Sequence, residues 1–257
     1  SYDPNDVSEI NSPIGGSITY GRNASGVQII SAGSCSGCTT STFTVPTGAT
    51  HIDVQVIGGG GGGAYYNDTA TASGSNCQSG AAPFQSCTWY LSGPGGGGGG
   101  YTSSTNQTVT SGNSYTITVG SKGNGGIHGS TFPSIPQSSA TSGTGSSFVG
   151  NGLNIVAGGG YAAQPNYVNS GPVPDVVIQQ PGNGGTGGTA GSVGGNANTR
   201  FDLSGTITGT GAGGTGGNAG SGSTSIGAGG AGGGYPVIGY NINGAAGNSG
   251  LVTITWY

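Results

Sequence analysis

Ile52, Val54 and Val56 alternate with His51, Asp53 and Gln55, and a period of two is what a strand with one buried face requires. The alternation returns at 251–257, where Thr253 and Thr255 separate Val252, Ile254 and Trp256. These two segments are predicted to pair and to supply most of a conventional hydrophobic core. Tyr115, Ile117 and Val119 mark another alternating strand over 115–119, reached from 107–110 through a turn at Gly112-Asn113. Shorter extended stretches are predicted at 17–20, 27–30, 41–45 and 153–156. A Pro46-Thr47-Gly48 turn is expected to join 41–45 to 51–57.

Between these strands the chain changes character. Glycine supplies 63 of 257 residues. It runs uninterrupted at 58–63 and 95–100, and elsewhere falls into registers of three. Gly182, Gly185, Gly188, Gly191 and Gly194 share one register; Gly211, Gly214, Gly217 and Gly220 another; Gly227, Gly230 and Gly233, then Gly244, Gly247 and Gly250, repeat it. An extended helix with three residues per turn puts every third side chain on one edge. Where the other edges carry only hydrogen, neighbouring backbones can approach and bond laterally through their N–H and C=O groups. Chains of this composition are usually disordered, but here β-patterned segments frame the glycine tracts. Collagen is excluded because the glycine phase resets between tracts and the 12 prolines lie mostly outside them. The expected fold is mostly β and irregular: a short antiparallel β framework plus a stack of polyglycine-II helices, with little or no α-helix.

Composition narrows the function. Arg22, Lys122 and Arg200 are the only cations against seven acidic residues, for a net charge of −4. That balance argues against nucleic acid or an anionic membrane as partner, and no apolar run approaches the length of a membrane span. The chain contains no methionine, so removal of a leader is expected. Residues 1–34, which lack the glycine repeat, read as an N-terminal extension and possible inter-subunit donor arm. Residues 35–257 read as the glycine-rich module with inserted aromatic loops.

The four cysteines form two local pairs, Cys35 with Cys38 and Cys77 with Cys87. The segment after Cys38 is extended rather than helical, which disfavours a redox motif. The nine-residue gap of the second pair is wider than a zinc knuckle. Structural disulfides closing small loops are the expected use. Sequons at Asn23, Asn67 and Asn106 are possible glycosylation sites. Low charge, paired cysteines and abundant hydroxyl side chains point to an extracellular, cell-surface or virion location.

The segment Phe43-Thr44-Val45-Pro46, followed by Gly48, by 51–57 running into 58–63, and by an exit at Gly100-Tyr101, resembles the glycine-rich domain of bacterial and phage surface proteins. Residues 111–120 and 250–254 fit the same pattern, so the resemblance covers about 42–257. The family includes the tail-fibre tip adhesins of T-even-type phages. The resemblance to them implies a polyglycine-II sandwich that displays receptor-binding loops. Residues 1–34 hold no counterpart of their fibre-attachment domain.

No catalytic signature emerges. His51 and Asp53 project to one side of a strand, and Ser41 is the imaginable nucleophile, yet exposed strand polarity accounts for them better. His128 is a lone loop histidine. Neither glycine run opens onto a Lys-Ser/Thr helix start, so a phosphate cradle fails. The chain is expected not to be an enzyme and to need no cofactor or metal. Aromatic loops remain. Tyr65, Tyr66, Trp89 and Tyr90 lie in 64–92, Tyr161 and Tyr167 in 161–180, and Tyr235 and Tyr240 close the set. They serve either as contacts for a cell-surface protein or glycan or as covers for the rod ends, with Trp89 expected buried and Tyr65 and Tyr66 exposed. Irregular side chains at Thr186, Thr189, Val193 and Asn196 disfavour an ice-matching face. The sequence thus predicts a non-enzymatic extracellular structural or adhesive protein that self-assembles, through its N-terminal arm, into a surface filament or fibre. The alternative is a phage tail-fibre tip adhesin.

Overall fold

The computed structural model of the chain describes residues 17–20, 25–31, 39–65, 67–73, 86–128, 130–131, 134–135, 138–165, 167–169, 176–178, 181–196, 199–202, 217–232 and 243–257. Its strands run in order β1 Ser17–Tyr20, β2 Gly26–Ser31, β3 Thr39–Thr44, β4 His51–Ile57, β5 Asn67–Ser73, β6 Ser86–Leu91, β7 Tyr101–Thr108 and β8 Ser114–Val119. They continue with β9 Ser130–Thr131, β10 Ser134–Ile135, β11 Ser146–Gly150, β12 Leu153–Ala157, β13 Tyr167–Asn169, β14 Val176–Ile178, β15 Thr199–Asp202 and β16 Leu251–Trp256. No α-helix occurs among the described residues.

Two antiparallel sheets, ordered β1-β2-β16-β4-β7 and β12-β11-β8-β3, face each other across the core. β16 and β4 pair as the alternation predicts, with Ile254 opposite Val54 and Trp256 opposite Ile52. Their inward side chains Val54, Val56, Val252 and Ile254 are fully buried against Ile117, Val119 and Phe148 from the other sheet. Phe43 binds the layers together, its ring 5.8 Å from Trp256 and 6.2 Å from Phe148. Tyr115 stacks on Phe148 at 4.7 Å. The turn at Thr47-Gly48 forms where expected, and the second falls at Ser111-Gly112, one residue before Gly112-Asn113. They do not make hairpins, however: β3 and β4 lie in opposite sheets, as do β7 and β8. Both are arches over the sandwich, because Phe43 and Val45 on one side and Ile52 on the other must all face the same core.

Six strands run directly into or out of glycine segments, and these segments form a lattice. We label them rods I (58–64), II (94–101), III (120–127), IV (141–145), V (158–163), VI (182–187), VII (189–195), VIII (217–220), IX (227–232) and X (244–250). Rod I shows the rule most clearly. Gly58, Gly61 and Ala64 donate their N–H to rod II; Gly59 and Gly62 donate to rod IV; Gly60 and Gly63 donate to rod X. Its carbonyls accept from rods V, IX and III at Gly59, Gly61 and Gly60. Successive residues thus address partners a third of a turn apart, as three residues per turn dictates. Rod II obeys the same rule toward rods VII, IX and V, and accepts from rods I, VI and VIII.

Rods I and II therefore each have six bonded neighbours, which is hexagonal packing. The remaining rods close a ring around the pair, with backbone bonds linking III to IV, IV to V, V to VI, VI to VII, VII to VIII, VIII to IX, IX to X and X back to III. This geometry explains the sequence. A rod inside the ring has no open edge, so 58–63 and 95–100 carry no side chain at all. A rod in the ring keeps an outward edge, where Asn183, Thr186 and Asn218 stand exposed. The single register read through 182–194 is in fact two antiparallel rods, reversing at Gly188-Thr189, where Thr189 bridges Tyr101.

Side-chain hydroxyl groups add bonds within the ring. Thr144 N–H donates to the Ser121 carbonyl while Thr144 Oγ1 accepts from Ser121 N–H at 2.8 Å. Thr141 and Asn124 repeat this reciprocal pair, as do Ser192 and Asn218. Replacing Thr144 with valine keeps the volume and removes the acceptor. Chemical denaturation should show a loss of about 1 kcal/mol.

Candidate functional site

The rods alternate in direction. Rods I, III, V, VII and IX run away from the sandwich and II, IV, VI, VIII and X return, as the partner registers require. Every inter-rod connection that leaves the far end is long: 65–93, 128–140, 164–181, 196–216 and 233–243. Those nearest the sandwich, at 188 and 221–226, are short. The five long connections thus all leave and re-enter the lattice at one end, opposite the sandwich.

Short strands pair within these connections. β6 lies between β15 and β5, and its register sets Trp89 opposite Phe201 and Tyr90 opposite Arg200. β13 and β14 form a hairpin with Tyr167 opposite Ile178. Tyr161 sits on rod V, its backbone tied to Asn183 and Gly97, and its side chain is 56% exposed. Arg200 and Phe201 were invisible to alternation, since β15 spans four residues with no apolar period.

Tyr65 overturns its expectation. It is 7% exposed rather than open. Its ring meets His128 edge-on at 6.1 Å and lies over Gly126, where a Cβ would come within 2.9 Å of Tyr65 Cδ1. His128 N–H donates to Asn243 Oδ1 at 2.9 Å. Tyr65, His128 and Asn243 close the ends of rods I, III and X, which is the covering role for a loop aromatic. The reason is position: Tyr65 follows Ala64 directly, too near the lattice to swing clear. Tyr66, Tyr235, Tyr240, Asn23, Cys35, Cys38 and Cys77 lie outside the described residues. Cys87 stands on β6 opposite Ala72, and Asn67 on β5 opposite Leu91. Asn106 is exposed at φ 55, where β7 shifts register against β4.

The His51 and Asp53 pair has structural partners. Asp53 Oδ1 accepts from Asn106 N–H at 2.7 Å and from the Tyr257 hydroxyl at 3.1 Å. The His51 ring stacks on Tyr257 at 5.9 Å, and its Nδ1 lies 2.9 Å from Thr50 Oγ1. Ser41 belongs to the opposite sheet, and its buried Oγ has no hydrogen-bond partner. Among the described residues, no three His, Cys, Asp or Glu side chains converge as a metal site would need.

This cluster predicts a pH response. Desolvation, then the hydrogen bond and charge of Asp53, push the Tyr257 phenol above its ordinary value; burial does the same to Tyr115. Folding therefore favours the protonated phenols. Their contribution is complete below the unfolded value of about 10 and is lost as pH climbs through the folded values. The denaturation midpoint should fall above that pH. Tyr257→Phe should make the fall shallower without abolishing it, because Tyr115 still titrates.

The glycine-rich domain family model matches residues 34–257. The chain belongs to that family, and the match spans every rod and all of the sandwich except β1 and β2. No curated protein matches the chain.

Proposed function

We propose that this member of the glycine-rich domain family is a non-enzymatic structural and adhesive protein of an extracellular surface, self-assembling as the subunit of a filament or fibre. One observation carries the reading: ten backbone rods bond to one another side by side, two of them on every side, and all the long connections leave the same end of this body. Such a body resists bending and proteolysis, because cleavage needs an extended segment free of its partners. Its outer edges carry Ser, Thr and Asn with three cations in the whole chain, so copies can touch without stripping water from many ions. Low charge and local cysteine pairs suit the extracellular setting.

Electron micrographs of the purified full chain test the reading. Filaments are expected; monodisperse particles across all concentrations would sink it. The exit of all five long connections from one end of the lattice favours a second reading, a phage tail-fibre tip adhesin that meets a bacterial surface receptor there. Replacing Tyr161 and Trp89 together with alanine should then abolish binding to host cells. Under the filament reading, the same change leaves fibres intact.

A further inference from the structure

We infer that the hairpin β1–β2 is exchanged between copies, the hairpin of one chain adding to β16 of the next. This rests on the filament reading and names the contact that would build the filament.

The hairpin lies outside the family match, which begins at residue 34. It nevertheless completes the five-stranded sheet. β2 pairs with β16 along its whole length, from Leu251 opposite Ser31 to Trp256 opposite Gly26. Without it, β16 would be an edge strand, with one row of N–H and C=O groups open to any incoming strand. The loss would also uncover one flank of the core, since Ile30 is 2% exposed beside Val252. The family module thus has a strand-accepting edge, and the chain carries the strand that fits it.

Seven residues separate that strand from β3. Ser31 stands opposite Leu251 and Thr39 opposite Val119, the residues adjoining Gly250 and Gly120. Gly250 N–H donates to the Gly120 carbonyl at 2.9 Å, so both points lie at the same level of the sandwich. The crossing between facing sheets is about 10 Å. The seven intervening residues, 32–38, can span about 23–25 Å when extended. Chain length therefore permits the same register to form on a neighbour. Intra- and inter-chain forms make identical strand contacts, so local concentration and connector geometry decide between them. Copies aligned end to side in a filament supply that concentration.

Two singly substituted full-length chains test this directly. Ile29 and Thr253 are cross-strand partners on the half-buried outer face of the sheet. When the Ile29→Cys chain and the Thr253→Cys chain are co-produced and oxidised, exchange predicts a reducible two-chain product that neither chain gives alone. A chain carrying both substitutions should give a ladder of linked chains. Absence of the mixed product, with the double variant running only as a cross-linked monomer, would overturn the exchange. Micrographs of the same samples separate the two ideas. Filaments without mixed product keep the filament reading and remove the exchange, while mixed product without filaments does the reverse.

Discussion

Gly98→Ala should abolish cooperative folding. Gly98 lies inside the ring, and a Cβ there would be driven onto the carbonyl of Asn218 on rod VIII. Main chain cannot rotate out of the way as a flexible side chain can, so the whole rod must move. Displacing it strains the bonds from Gly217 to Gly96, Gly220 to Gly99 and Ser192 to Asn218. Each buried donor or acceptor left unpaired costs about 1–3 kcal/mol. The expected loss is therefore at least about 4 kcal/mol, in the range reserved for severe defects. Gly188→Ala is the matched control. Its added Cβ would meet Tyr101 O at an ordinary 3.5 Å, and the change should stay within about 0.5 kcal/mol. Urea denaturation of both variants separates a tight lattice from a glycine-rich chain that merely tolerates glycine.

Trp256→Ala should produce the largest loss among the side chains of the sandwich. Trp256 is 2% exposed and closes the core against Phe43. Its strand, β16, also leads out of rod X and carries both β2 and β4. Removing a buried aromatic of this size costs about 3–5 kcal/mol through lost transfer energy and the remaining cavity. For a domain of this length that corresponds to a fall in Tm of roughly 6–20 °C. The rods themselves hold little apolar surface, so no second oily core can compensate. Thermal unfolding followed by near-ultraviolet circular dichroism would report the change.

The alternation at 51–57 and 251–257 foretold the β4–β16 pair because both strands have one dry and one wet face. β11 escaped notice: Ser146, Phe148 and Gly150 share its inner face, and only one of the three is apolar. β7 runs over 101–108 rather than 107–110, and its start was hidden because Ser103 and Ser104, which pair with β4 at the edge, show no period. The arches at 47–48 and 111–112 could not be told from hairpins, since local turn chemistry is silent about which sheet receives the next strand. The glycine period did announce lateral backbone packing. The distinction between inner and outer rods was also written in the chain, as uninterrupted runs against every-third-residue interruptions. For Tyr65, loop composition suggests exposure, whereas adjacency to the lattice fixes burial.

Amide hydrogen exchange on the native protein is the most direct measurement of the lattice. If rods I and II are held by bonds from six sides, the amides of 58–63 and 95–100 should exchange as slowly as those of β4 and β16, near the rate set by global unfolding. Exchange of those glycines at the speed of an unstructured peptide, with the strands still protected, would contradict the account.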